Sequence, residues 1–195
     1  MKKVLVRSIL AGIMIDIGAI TYMNAPAPLG AFMFSVGLLS IFLLNLYLLT
    51  GLVPYTNKVK EVPFILTVLL GNVIGSCLMF AFPSDIAVDV VQTKLQDPYW
   101  LMFVSAMLCN ILIFIAVEAN KKNNIVTVII AVAAFIICGF NHSIANVCFV
   151  ISARRFSWDV FVFILISLLG NAVGGICFRK LIEYANSKNR EKLHS

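Results

Sequence analysis

Gly71-Asn72-Val73-Ile74-Gly75-Ser76 returns 99 residues further on as Gly170-Asn171-Ala172-Val173-Gly174-Gly175. Each copy lies in an apolar run, residues 63–82 and 158–182. Each run is the third in a set of three, after 4–23 and 29–53 in the first half and after 100–119 and 125–151 in the second. A spanning helix needs about 20 apolar residues, so all six runs are long enough to cross a bilayer. Three spans per half make the second half enter the membrane from the opposite side, the topology of an inverted repeat. Small residues four apart let helix backbones approach closely, which explains the glycines. The asparagines need more, because a buried amide must find partners. Two amides at matching positions suggest a symmetric polar lining or a brace for the helices around them.

Composition agrees with this division. The chain has 195 residues, 61% hydrophobic and 12% charged, with a mean hydropathy of +0.99, which excludes a water-soluble fold. The expected class is an all-α membrane protein, one transmembrane domain over residues 1–195. Its inverted repeats cover about 4–82 and 100–182, and a tail follows at 183–195. The formal charge of +6 does not indicate a nucleic-acid partner, which would need a basic patch on a folded surface. The basic residues serve orientation instead. With the N-terminus in the cytoplasm, the cytoplasmic segments hold twelve Lys and Arg, against Lys94, Arg154 and Arg155 on the other side. That is the positive-inside pattern. It predicts a multi-pass protein of the cell membrane with both termini cytoplasmic and the lipid bilayer as partner.

The first run, interrupted by Arg7 and Asp16, lacks a clear small-x-small cleavage context and reads as a retained span rather than a signal peptide. Asp16 must face protein or be protonated, since a lipid-facing carboxylate is costly. The five cysteines, Cys77, Cys109, Cys138, Cys148 and Cys177, form neither a CxxC nor a Cys/His cluster, so they predict small buried apolar groups without disulfide, metal or cofactor. Glu118 beside Lys121 and Lys122 reads as a solvated ion pair. Tyr99, Trp100 and Trp158 begin spans, as interfacial anchors do.

All six prolines fall at or between span ends, where helices stop. Two spans are irregular. The second carries Gly51 and then Pro54 at its end, and the fifth contains Gly139-Phe140-Asn141-His142-Ser143, a polar run that would be costly against lipid. Both are expected to break and resume, at equivalent places in the two halves. Such paired broken helices bring half-helix ends toward a permeant near the membrane midplane.

Taken in order, several motifs resemble the formate/nitrite transporter family of pentameric anion channels over about residues 8–182. They are Phe34-Ser35-Val36-Gly37-Leu38, Leu48-Leu49-Thr50, the first Gly-Asn motif, Leu108-Cys109-Asn110, Gly139 through Asn146, and the second Gly-Asn motif. The resemblance implies an aquaporin-like protomer with its own pore, a homopentamer, and small monovalent anions of weak acids as substrate. Carried over by position, Leu48 and Leu49 would form the cytoplasmic slit, and Phe34, Leu38, Ile113 and Phe135 the opposite one. His142 would be the central pore histidine, Thr50 the hydroxyl facing it and Asn171 the amide of the last motif. Lys94 would attract anions to the outer vestibule. Three departures stand out. Asn141 replaces the usual Glu before the histidine, Leu49 replaces a common aromatic, and only Met1-Lys2-Lys3 precedes the first span.

A bare anion pays a large desolvation cost in an apolar slit. The expected remedy is that Lys94 concentrates anions and that the substrate takes up a proton near the slits, from water or from His142, whose unperturbed pKa lies near 6.5. The substrate then crosses largely as the neutral acid. His142 could also be a neutral, hydrogen-bonded bundle residue, but the broken span and Asn146 one turn on, on the same face, favour a pore role. Lys94 could equally be a solvated loop lysine. Formate or nitrite is the leading permeant, with hydrosulfide, lactate or another small acid as the alternative. An aquaporin-like neutral-solute channel is less favoured, because the only Asn-Ala-Pro, at 24–26, lies in a loop. An enzyme is not expected: no nucleophile–base pair or metal-ligand set lies within the spans.

Overall fold

The computed structural model describes residues 1–193, with side chains described through residue 187. Among these residues every regular element is an α-helix or a 3-10 turn, and no strand occurs. Four stretches are long and apolar enough to cross a membrane: Lys2–Asn24, Val59–Ala81, Tyr99–Lys121 and Trp158–Ser187. They correspond to helices α1 (Lys2–Asn24), α5 (Val62–Ser76), α7 (Tyr99–Lys121) and α10 (Trp158–Leu193), the last of which continues past its spanning stretch.

The remaining apolar sequence forms shorter pieces. Residues 29–52 give α2 (Leu29–Met33), α3 (Ser35–Leu43) and α4 (Leu49–Leu52), and residues 125–152 give α8 (Ile125–Ile137) and α9 (Ser143–Ser152). One element lies where the sequence suggested only a connection. Helix α6 (Asp85–Leu95) packs against α9, and its i, i+4 pair Ala87 and Val91 is buried. Lys94 stands in its last turn.

Two helix pairs form the frame, and in each a Gly-Asn motif makes the contact. A Cβ on Gly71 would lie 2.4 Å from the Ser8 Cβ, and one on Gly75 would lie 2.2 Å from the Ile9 carbonyl oxygen. In the other pair, a Cβ on Gly170 would meet the Phe103 carbonyl at 2.6 Å, and one on Gly174 the Met107 carbonyl at 2.3 Å. The contacts advance in the same direction along both partners, so α5 runs parallel to α1 and α10 parallel to α7. Only glycine permits backbones this close. Tyr99, Trp100 and Trp158 open α7 and α10 and are exposed, as anchors at a membrane boundary should be.

Candidate functional site

Between the two frame pairs, the short helices end and restart in matching fashion. Helix α3 closes with Asn45 at φ +52, its N–H donating to Phe42 O (3.2 Å), and Leu46 N–H reaches back to Ile41 O at 2.9 Å. Helix α8 closes with Gly139 at φ +66, its N–H donating to Ile136 O (3.0 Å), and Phe140 N–H reaches Phe135 O at 2.9 Å. Both are Schellman terminations, which require a left-handed residue such as Gly or Asn. Five residues then lie outside the helices, 44–48 in one case and 138–142 in the other, before α4 and α9 begin. The residues preceding these restarts, Leu48 and His142, have similar extended backbones.

The asparagines of the repeated motif hold both restarts. Asn72 Oδ1 accepts the Leu49 N–H (2.8 Å), while its Nδ2 donates to Ser8 O (2.8 Å) and Tyr47 O (2.9 Å). Asn171 Oδ1 accepts the Ser143 N–H (2.8 Å), while its Nδ2 donates to Ala106 O (2.7 Å) and Asn141 O (2.8 Å). Each amide is buried and engages three backbone groups, so the structure places Asn171 as a brace on the α9 tip. Of the two roles open for these residues, the geometry supports the brace.

His142 sits at the tip that Asn171 holds and is 1% exposed. Its Nδ1 accepts the Ala145 N–H at 3.1 Å, capping α9. With that lone pair occupied, the ring proton belongs on Nε2, which lies 2.9 Å from Thr50 Oγ1 and donates to it. The Thr50–His142 bond therefore joins the first half of the chain to the second. Phe135 stacks on the imidazole at 5.6 Å and 16°, and Phe34 meets Phe135 edge-on.

Lys94 and the amides extend the network. Lys94 Nζ donates to Gly139 O (2.7 Å), Phe140 O (3.4 Å) and Asn141 Oδ1 (2.8 Å). Its ammonium thus clamps the loop that leads to His142. Burial pulls its pKa down to about 8, while the nearby Cys109 thiol and the Asp97 carboxylate act in the opposite direction. Asn146 Nδ2 donates to Asn141 Oδ1 (3.3 Å) and Ser167 Oγ (3.1 Å), tying the same loop to α10.

Two cavities involve residues near the Thr50–His142 bond, one lined by His142 itself and the other by Leu48 and Gly51, which neighbour Thr50 in sequence. One, of about 390 Å³, is lined by Lys94, Asp89, Asp97, Phe135, His142 and Asn146 among others. The other, of about 350 Å³, is lined by Arg7, Leu38, Asn45, Leu48, Gly51 and Asn120 among others. Leu38 thus lines the cavity that Leu48 lines, not the one bordered by Phe135. Phe34, Leu49 and Ile113 are buried in the core.

Sequence reasoning did not single out three residues that line the second cavity: Arg7, an interruption in the first span, Asn45, a lone asparagine inside the second, and Asn120, just past the end of the fourth. The signal that could have exposed them is the helix stop at Asn45, matched in the other half by Gly139. Asp16 is fully buried beside Ser76 and Cys148, so it faces protein. Glu118 pairs with Lys121 at 2.7 Å and accepts a hydrogen bond from the Tyr55 hydroxyl. Among the described residues no cluster of His, Cys, Asp or Glu could hold a metal ion.

Four stretches of spanning length mark the chain as membrane-embedded, and its family is one of membrane transport proteins. The chain belongs to the formate/nitrite transporter family, whose model matches residues 1–185. A solved structure described as a pentameric formate channel with formate bound is similar at a TM-score of 0.81 and 23% identity, covering 95% of this chain and 97% of that one. Another, described as an FNT family ion channel, gives 0.82 at 22% identity, covering 93% and 89%. At these identities the likeness establishes the shared fold. No curated protein sequence matches significantly.

Proposed function

We propose that the protein is a channel for small monovalent anions of weak acids, formate or nitrite, that moves its substrate with a proton, largely as the neutral acid. The observation that carries this reading is the buried Thr50–His142 hydrogen bond, at a helix tip held by Asn171, with His142 lining one cavity and Leu48 and Gly51 lining another. In this reading α2–α4 together are one broken span and α8–α9 another. The chain then has six spans in two inverted halves, with the two breaks equivalent. The paired caps at Asn45 and Gly139 and the paired braces Asn72 and Asn171 support it.

Leu48 and Leu38 narrow the path on the Arg7 side, and Phe135 with Phe34 on the Lys94 side, while Leu49 and Ile113 back them from the core. Apolar walls exclude a bare anion and tolerate a neutral acid. The proton comes from cavity water. For His142 to give one away it would first have to gain one, and its Nδ1 is occupied by the Ala145 N–H. Its Nε2–H instead donates to Thr50 Oγ1 and orients that hydroxyl, whose own proton is a neutral donor for the passing acid. Lys94 holds the loop that sets His142 and adds positive charge to the cavity mouth.

The formate channel with the same fold is described as pentameric, which supports a ring of five copies here. The distribution of basic residues supports a cell-membrane location with both termini cytoplasmic. The test is a panel of formate, nitrite, hydrosulfide and lactate fluxes in proteoliposomes at two pH values. Formate or nitrite should move fastest, and faster at the lower pH. Selectivity for a neutral solute, or fluxes independent of pH, would overturn the reading.

A further inference from the structure

The two cavities carry opposite charge. The cavity beside Lys94 is lined by two carboxylates, Asp89 and Asp97, against a single ammonium. That ammonium is engaged with Gly139 O, Phe140 O and Asn141 Oδ1, so its N–H groups point into the protein. The cavity on the other side is lined by one charged residue, Arg7, and no carboxylate. Arg7 donates through NH1 to Tyr47 OH at 3.1 Å, and its guanidinium lies 5.3 Å from the centre of that ring. A guanidinium has five N–H donors, so Tyr47 fixes its position and leaves others available to the cavity. Asn45 and Asn120 are uncharged polar residues of the same lining.

From this difference we infer that the Arg7 cavity is an anion-loading site for small monovalent carboxylates or nitrite, and that the protein is functionally sided. Anions load more readily from the Arg7 face than from the Lys94 face. The inference rests on the anion-channel reading above and adds a residue and a direction to it. Charge of one sign in a low-dielectric cleft focuses the potential and raises the local concentration of the opposite ion. Arg7 does this for anions, whereas Asp89 and Asp97 offset Lys94 at the other mouth. The effect belongs to loading, so it alters half-saturation from each face and leaves the equilibrium distribution of substrate unchanged.

The test uses the full-length protein in membrane vesicles of opposite orientation. Labelling of Lys3→Cys by an impermeant maleimide, in a background carrying Cys138→Ser because Cys138 is exposed in the Lys94 cavity, identifies the vesicles that expose the Arg7 face. Formate uptake at low ionic strength should half-saturate at a concentration about threefold to fivefold lower from the Arg7 face, and the gap should close in high salt. Arg7→Gln should raise half-saturation on that face alone, and Arg7→Lys should preserve it. Asp89→Asn with Asp97→Asn should lower it on the opposite face, a measurement that stands even if Arg7→Gln fails to fold. Equal half-saturation from the two faces of the unaltered protein, or a gap unaffected by salt, would overturn the inference. Absence of saturable formate or nitrite uptake from both faces would instead refute the channel reading on which it rests.

Discussion

The two helix restarts share a backbone plan and differ in the chemistry placed on it. At residues 44–49 a left-handed Asn45 ends α3, Asn72 holds the restart, and the residue at the tip is Leu48. At residues 138–143 a left-handed Gly139 ends α8, Asn171 holds the restart, and the tip residue is His142. The shared parts satisfy main-chain groups that would otherwise be stranded inside a membrane, where each unsatisfied group costs several kcal/mol. In the proposed mechanism the part that differs meets the permeant, so structure is encoded in what the halves repeat and transport in what they do not.

Removing a brace should have the largest effect. Asn171→Ala deletes three buried hydrogen bonds at about 1 kcal/mol each and strands their partners. The thermal midpoint of the detergent-purified protein should fall sharply, and Asn72→Ala should cause a comparable fall. If only one of the two mattered, the braces would not be equivalent. Next come the packing glycines. A methyl at Gly75 or Gly174 would meet a backbone carbonyl at 2.2 or 2.3 Å. Ala at either position should cut the yield of assembled protein, measured by size-exclusion chromatography, whereas Gly51→Ala, with its nearest contact at 3.6 Å, should not.

His142→Ala should act on flux more than on assembly. It removes the buried hydrogen bond to Thr50 and the cap on the Ala145 N–H, which leaves Asn171 still holding the α9 tip, and the loss of the Thr50 bond alone should lower formate flux by about tenfold, the factor equivalent to ~1.4 kcal/mol. Its pH dependence should persist, because the proton comes from water. A flattened pH profile would make His142 the proton donor. The smallest effect is expected at Lys94. With its pKa lowered to about 8, the side chain is charged below that pH and neutral above it. The flux advantage of the native protein over Lys94→Met should therefore shrink as pH rises through 8, and an advantage constant from pH 7 to 9 would exclude electrostatic help from this residue.

The repeated Gly-Asn motif and the polar run at 139–143 made the frame and the second restart readable in the sequence, because polar groups within apolar runs demand a structural reason. Asn45 was not readable in this way. A lone asparagine between Leu44 and Leu46 carries no periodic signal, and its left-handed turn exists only through the bonds to Phe42 and Ile41. Residues 85–95 fall outside the six apolar runs, because Asp85, Asp89 and Lys94 interrupt the stretch. They form a helix because α9 buries Ala87 and Val91. The proposed site residues His142, Thr50 and Lys94 came from family resemblance, and the structure brings His142 within hydrogen-bond distance of Thr50. The clamp that Lys94 places on the 139–141 carbonyls depends on backbone geometry and could not be inferred from residue type. Arg7 was counted only as an orientation charge, since nothing in the sequence links it to Tyr47 forty residues away.

The most direct test of neutral-acid transport follows internal pH and membrane potential together when formate is added to proteoliposomes. Formate entering with a proton should acidify the lumen at a rate proportional to protein content, above that of protein-free liposomes, with little change in potential. A potential negative inside, without acidification, would mean that the bare anion crosses and would contradict the proposed mechanism.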